Sequence, residues 1–141
     1  MKIKVNWIND FGFTAEVRHF KNVLIDEPLS FKGNDRGPSP VEYILIGIGS
    51  CLGASFIHCC KINNFEIQKL NIVVDGKMTH RKPYNHLELA YVNVELNIIH
   101  FEEKTNEKFE KCLEIFREYC VVSNSLIRGL PINVNIKQDF R

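Results

Sequence analysis

The stretch from Ser39 to Lys61, SPVEYILIGIGSCLGASFIHCCK, constrains this chain more than any other. It opens with helix-start signals. Ser39 suits an N-cap, Pro40 suits the first helical position, and Glu42 suits the positive end of the helix dipole. From Tyr43 to Ile57 no charge falls on any face, and a helix that is apolar all round is expected to be buried all round. The uncharged run is shorter than the ~20 residues that span a bilayer, so a core helix is expected. Gly47, Cys51 and Ser55 recur at every fourth position and share one face, with Gly49 and Gly53 beside it. Each interior glycine costs roughly 1 kcal/mol of helix propensity relative to alanine. Close approach of another backbone would justify that cost and would hold Cys51 against whatever packs there.

A chain of 141 residues, 45% of them hydrophobic, is long enough for one domain with a real core, here residues 1–141. A formal net charge of +1 with 25% charged residues implies neither a nucleic-acid nor a membrane surface. The N-terminus alternates like a strand and lacks the apolar core of a signal peptide, so a cytoplasmic location is expected. Cys51, Cys59, Cys60, Cys112 and Cys120 all fall in apolar, helix-like stretches, and five is an odd count. That is the pattern of reduced, buried thiols rather than of a secreted disulfide framework.

The remaining chain divides by periodicity. Ile3, Val5 and Trp7 alternate with Lys2, Lys4 and Asn6 in a half-buried strand, and Asn9-Asp10-Phe11-Gly12 forms a hairpin turn. Phe13, Ala15 and Val17 mark a second strand and Val23-Leu24-Ile25 a third. Residues 28–40 form a loop into the central helix. Leu70, Ile72 and Val74 mark a fourth strand. From His86 to His100 the apolar phase changes near Tyr91, as a bulge would require. Phe109, Leu113, Phe116 and Cys120 recur at helical spacing, giving an amphipathic helix over roughly 105–120. A further helical turn over 123–129 stops at Gly129. Ile132, Val134 and Ile136 predict a last strand. The order is βββ-α-ββ-α-β, an α+β fold of antiparallel sheet covered by helices.

Two segments carry a resemblance to the OsmC/Ohr family, the osmotically inducible and organic-hydroperoxide-resistance proteins. One is Gly37-Pro38-Ser39-Pro40-Val41-Glu42-Tyr43 running to Gly49-Ser50-Cys51, and the other is Tyr119-Cys120-Val121-Val122-Ser123-Asn124-Ser125-Leu126. The resemblance implies antiparallel sheets around two central helices and an intertwined homodimer with its active sites at the subunit interface. It also implies that Cys51 is the peroxidatic thiol attacking an organic hydroperoxide. Cys120 then resolves the sulfenic acid into a disulfide, which a dithiol reduces. That chemistry needs a thiolate and a partner cysteine whose Cα lies within about 7 Å.

Peroxidatic members also carry an arginine near the first turn and a glutamate directly after the helix-starting proline. Here the turn Asn9-Asp10-Phe11-Gly12 has no arginine and Val41 takes the glutamate's place, leaving Arg18, Arg36 and Glu42 as the helpers to consider. Glu42 lies nine residues before Cys51, about 180° round the helix. It is therefore read as a helix-start charge.

His58-Cys59-Cys60 does not make a metal site, because adjacent helical residues point about 100° apart. Cys59, Cys60 and Cys112 are read as core, and Arg128-Gly129 as a helix end. His19, His80, His86 and His100 carry no ligand spacing. No cofactor or metal is implied. Three functions remain: a thiol peroxidase of the oxidative stress response using Cys51 and Cys120, a non-catalytic dimer that senses redox state or binds a small apolar ligand or thiol, or an obligate structural dimer without chemistry in which Gly47 and Gly49 serve packing alone.

Overall fold

A computed structural model of the chain describes residues 1–101 and 107–138. The helix predicted at Ser39 is α1, Pro40–Ile62. Its start is tied by a reciprocal pair of bonds: the Ser39 backbone N–H donates to Glu42 Oε2 at 2.7 Å, and the Glu42 N–H donates to Ser39 Oγ at 3.3 Å. This capping box satisfies two donors that the first helical turn leaves open. At 23 residues α1 is by length and composition apolar enough to cross a membrane, so the uncharged run understated the helix.

Burial corrects the expectation that α1 is covered on every side. Ile48, Leu52, Phe56, Cys59 and Cys60 are buried, whereas Glu42, Ile46, Ser50, Ala54 and His58 form an exposed stripe at every fourth residue. The hydrophobic pattern reports what the helix avoids, namely water, but a single chain supplies cover for only part of its circumference. The glycines divide likewise. A Cβ on Gly49 would sit 2.6 Å from Val74 Cγ2, so this glycine admits a neighbouring side chain rather than a backbone. Gly47 has nothing within 4 Å of its Cβ position.

Three strands precede the helix: β1 (Lys4–Asn9), β2 (Gly12–Val17) and β3 (Phe20–Ile25). They form an antiparallel meander with Val5 opposite Ala15 and Ala15 opposite Val23. Asp10 at φ 45° and Arg18 at φ 55° turn the chain between them. The Ile3, Val5 and Trp7 face of the first strand is exposed rather than half-buried. With Phe13, Val23, Ile25 and Tyr43, the Ile3 and Val5 side chains line an apolar groove of about 490 Å³. Two long strands, β4 (Ile67–Arg81) and β5 (His86–His100), pair as a hairpin. Along the latter the covered positions pass from Leu89 to Val92, with Ala90 and Tyr91 both exposed, so the change of phase falls where the residue pattern placed it.

The predicted second helix is shorter and broken. It comprises α2 (Glu107–Ile115) and a 3-10 turn, Phe116–Tyr119, while residues 105 and 106 lie outside the described residues. Cys120 leaves the helical region at φ −77°, ψ 100°, and a new helix α3, Val121–Ile127, starts directly after it. Gly129 at φ 75° ends that helix, its N–H donating to the Leu126 carbonyl at 3.1 Å, which is the positive-φ stop the sequence called for. The last predicted strand is not present: residues 130–138 have no regular secondary structure, and Ile132, Val134 and Ile136 are exposed. Their alternation encodes a strand, but a strand also needs a free sheet edge to bond to, and neither sheet of the described residues takes this segment up.

The backbone clusters into two units, each discontinuous in sequence. One contains Met1–Gly49 and Ile72–Leu96, and the other Ser50–Asn71 and the chain from Asn97. The core of the second is aromatic. Phe56 meets Phe109 and Phe116 edge-on, with ring centroids 6.3 and 5.6 Å apart, and Phe65 stacks at a tilt against Phe109. Antiparallel sheets and three helices make the fold α+β.

Candidate functional site

All five cysteines are free, and all five lie in the second unit. They form two groups. In the first, Cys51 from α1 lies close enough to Cys120 to help lower its titration. Cys51 is half-buried and Cys120 fully buried. Cys120 caps α3: its sulfur accepts from the Ser123 backbone N–H at 3.5 Å, and its carbonyl accepts from Asn124 N–H at 3.1 Å. Burial alone would push this thiol up. Bonds from the Ser123 side chain and backbone, from Cys51 and from the Val122 N–H outweigh it and hold Cys120 below the ordinary thiol value.

The second group is Cys59, Cys60 and Cys112, two from α1 and one from α2, all buried. The Asn63 amide donates to the Cys59 carbonyl at 2.9 Å and lies 3.5 Å from Cys59 Sγ and 3.7 Å from Cys112 Sγ. Burial, reinforced by the neighbouring Cys112, pushes Cys59 up to about 11, and burial raises Cys60 and Cys112 as well. A thiol held protonated is neither a nucleophile nor a metal ligand. Among the described residues no group of His, Cys, Asp or Glu side chains could hold a metal ion.

Each of the three helpers considered from sequence has a partner within the first unit. Glu42 is spent on the capping box, and the Ser39 backbone and hydroxyl bonds hold its carboxyl below the usual value. Arg18 lays its guanidinium over the Phe20 ring, 5.3 Å from the centroid. Arg36 is clamped by Asp26, Nε to Oδ2 at 2.8 Å, and reaches back to Asn9 Oδ1 at 2.7 Å.

That clamp was not anticipated. Asp26 is 1% exposed and also accepts from the backbone N–H groups of Glu27, Asn34 and Arg36. The Arg36 bond is the main reason its carboxyl lies below the ordinary range. The clamp fixes the loop leading to α1 and brings Arg36 over Gly12, where any Cβ would strike the guanidinium. A lone Asp between a strand and a loop rich in Gly, Asn and Asp was the only advance sign. Ser123 was missed for a similar reason, since its role depends on where the helix break falls.

The fold that holds these cysteines has relatives. A search of curated proteins returned no match. Among solved structures, an OsmC-like protein from Mycoplasma pneumoniae superposes with a TM-score of 0.74 at 21% identity, covering 96% of this chain and 94% of the other. The organic hydroperoxide resistance protein OhrB of Bacillus subtilis superposes with a TM-score of 0.61 at 19% identity, covering 92% and 90%. An organic hydroperoxide resistance protein OsmC from Legionella pneumophila gives 0.64 at 16% identity, covering 91% and 88%. At these identities the likeness is one of fold. The family of OsmC-like proteins matches residues 33–135, a span that holds α1, the long hairpin and both members of the Cys51–Cys120 pair, and the chain belongs to that family.

Proposed function

We propose that this protein is a thiol-dependent peroxidase that reduces organic hydroperoxides with Cys51 and Cys120. The single observation that carries the reading is the nearness of these two side chains, felt in the titration of Cys120, within an OsmC-like chain. The half-exposed Cys51 is the thiol that a hydroperoxide can reach, and the buried Cys120 is the one that waits for it. Attack of Cys51 sulfur on the terminal oxygen of ROOH breaks the O–O bond and gives the Cys51 sulfenic acid and, after protonation, ROH. Cys120 sulfur then displaces the sulfenic oxygen as water, and the pair becomes a disulfide. An external dithiol reduces it by exchange.

The remaining expectations belong to the same reading: one OsmC-like domain, a cytoplasmic location and an intertwined homodimer with no cofactor. The exposed stripe Ile46–Ser50–Ala54 on α1, the open position at Gly47 and the unpaired alternation of Ile132, Val134 and Ile136 all favour a second copy as cover. Purified protein should consume cumene hydroperoxide with dihydrolipoamide, and Cys51→Ser should not. Equal rates in the two proteins would end the proposal. A second reading, a non-catalytic dimer that binds a small apolar molecule or senses redox state, draws on the apolar groove over the β1–β3 meander. Binding of a fluorescent fatty acid that survives Cys51→Ser but is lost in Val23→Glu would favour it.

A further inference from the structure

The 3-10 turn that ends the second helix and the helix that follows it frame a cavity of about 330 Å³. Glu118 and Tyr119 line it from the turn, and Val121, Asn124, Ser125 and Arg128 line it from α3. Those last four recur at helical neighbour spacing and so present one face of the helix. The Asn124 amide donates to the Arg117 and Glu118 carbonyls at 3.3 and 3.1 Å, which ties the turn to α3 and fixes the shape of the cavity. One carboxylate and one guanidinium stand in its walls, and neither forms an ion pair with a described residue.

The cavity adjoins the cysteine pair. Two of its residues, Tyr119 and Val121, flank Cys120 in sequence. Tyr119 also packs edge-on against His58, with ring centroids 5.9 Å apart. His58 lies two helical turns beyond Cys51 and therefore shares its face of α1. The Tyr119 ring thus stands between the cavity and the α1 face that carries Cys51. Because Cys120 is fully buried and Cys51 half-buried, a thiol that reduces the oxidised pair has to attack at the Cys51 sulfur. Opposite charges in one small cavity select a ligand that carries both signs: Glu118 repels a lone anion and Arg128 a lone cation.

We propose that this cavity binds the α-amino acid head group of a small thiol, with its carboxylate on Arg128 and its ammonium on Glu118, and that such thiols reduce the oxidised pair. The second half rests on the peroxidase reading, whereas the head-group site does not depend on it. Val121 and the Tyr119 ring give the short methylene stem an apolar wall on its way to the disulfide. The first thiolate attacks the Cys51 sulfur, the Cys51–Cys120 bond breaks, and Cys120 leaves and takes a proton. A second thiolate attacks the reductant's sulfur in the mixed disulfide and releases Cys51. Two thiols and one protein disulfide thus become one small disulfide and two protein thiols, with two monothiols doing the work of one dithiol.

The test compares three probes of similar size: cysteine, which carries both charges, N-acetylcysteine, which lacks the ammonium, and cysteamine, which lacks the carboxylate. Full-length protein oxidised with cumene hydroperoxide is mixed with each at equal thiolate concentration, and the return of protein thiols is followed. Cysteine should be faster than either by about fivefold, the most that one exposed ion pair contributes. Arg128→Gln should erase its lead over cysteamine, and Glu118→Gln its lead over N-acetylcysteine. Both side chains are exposed, so neither change disturbs the core. A second measurement uses S-methylcysteine, which cannot exchange. It should shift the amide resonances of residues 118–128 in nitrogen-15 spectra of wild type, and shift them less in Arg128→Gln.

Rate ratios that are the same in wild type and in both variants overturn the proposal while leaving the peroxidase reading intact. An absence of shifts with S-methylcysteine overturns it as well. If the protein consumes no hydroperoxide yet the Arg128-dependent shifts appear, the peroxidase reading fails and the head-group site stands.

Discussion

Cys51 and Cys59 project from the same helix eight residues apart, yet they enter opposite kinds of surroundings. Cys51 meets a sulfur that caps a helix and collects amide and hydroxyl donors. Cys59 meets Cys112 and the Asn63 amide beside the packed rings of Phe56, Phe109 and Phe116. Both Cys59 and Cys120 are fully buried, so burial does not separate them. The difference is the supply of donors. Around Cys120 the chain breaks its helix and offers fresh N–H groups; around Cys59 the helix continues and its N–H groups are already used. Depth alone makes a thiol inert, and depth beside a helix start can make it reactive.

The largest effect should come from removing the packing that keeps the second group apart. Phe56→Ala deletes a fully buried ring that touches two others, and a loss of about 3–5 kcal/mol in unfolding free energy is expected from denaturant titration. Cys59 and Cys112 should then become open to alkylation in the folded protein. Protection that persists in this variant would mean that the rings do not guard the thiols.

Next comes reactivity in the unaltered protein. With Cys59 at about 11, its thiolate fraction at about pH 7.5 is some 300-fold below that of a free cysteine with a value of about 8.5. Mass-spectrometric mapping after brief alkylation should find label on the Cys51–Cys120 pair and none on Cys59, Cys60 or Cys112. Label spread evenly over the five would erase the contrast drawn above.

A smaller effect is expected at Asn63. Asn63→Ala removes the donor to the Cys59 carbonyl and the amide beside two sulfurs, at a cost of about 1–2 kcal/mol. It leaves Cys59 without the one hydrogen bond that holds its titration down. Cys59 should therefore titrate higher still, a shift readable by thiolate absorbance near the alkaline limit of the fold. The smallest change is the control in the other unit: Ser39→Ala breaks the capping box and should cost about 1 kcal/mol in thermal unfolding while leaving alkylation of all five cysteines as it was.

Where local rules suffice, the sequence was legible. Ser39, Pro40 and Glu42 announced the start of α1, Gly129 announced the end of α3, and period-two alternation located the strands through residue 100. Each of these depends on a few neighbouring residues and on nothing distant. Two expectations failed for a common reason. The alternation at Ile132, Val134 and Ile136 specifies which side of a strand is apolar but not which edge receives it. The uncharged circumference of α1 likewise specifies aversion to water without supplying the cover.

What the residues determined by themselves, then, is the family, the order of elements through the long hairpin and the two cysteines worth comparing. Tertiary structure decided the chemistry of those cysteines. It ended the second helix at Tyr119 rather than running it through Cys120, and so turned a cysteine expected on a helix face into the cap of the next helix. It also spent Glu42, Arg18 and Arg36 on other partners. A thiol's charge is set by the donors within hydrogen-bond reach, and for Cys120 one of those donors comes from a residue 69 positions earlier, at Cys51. Spacing along the chain carries no record of such a meeting; folding alone creates it.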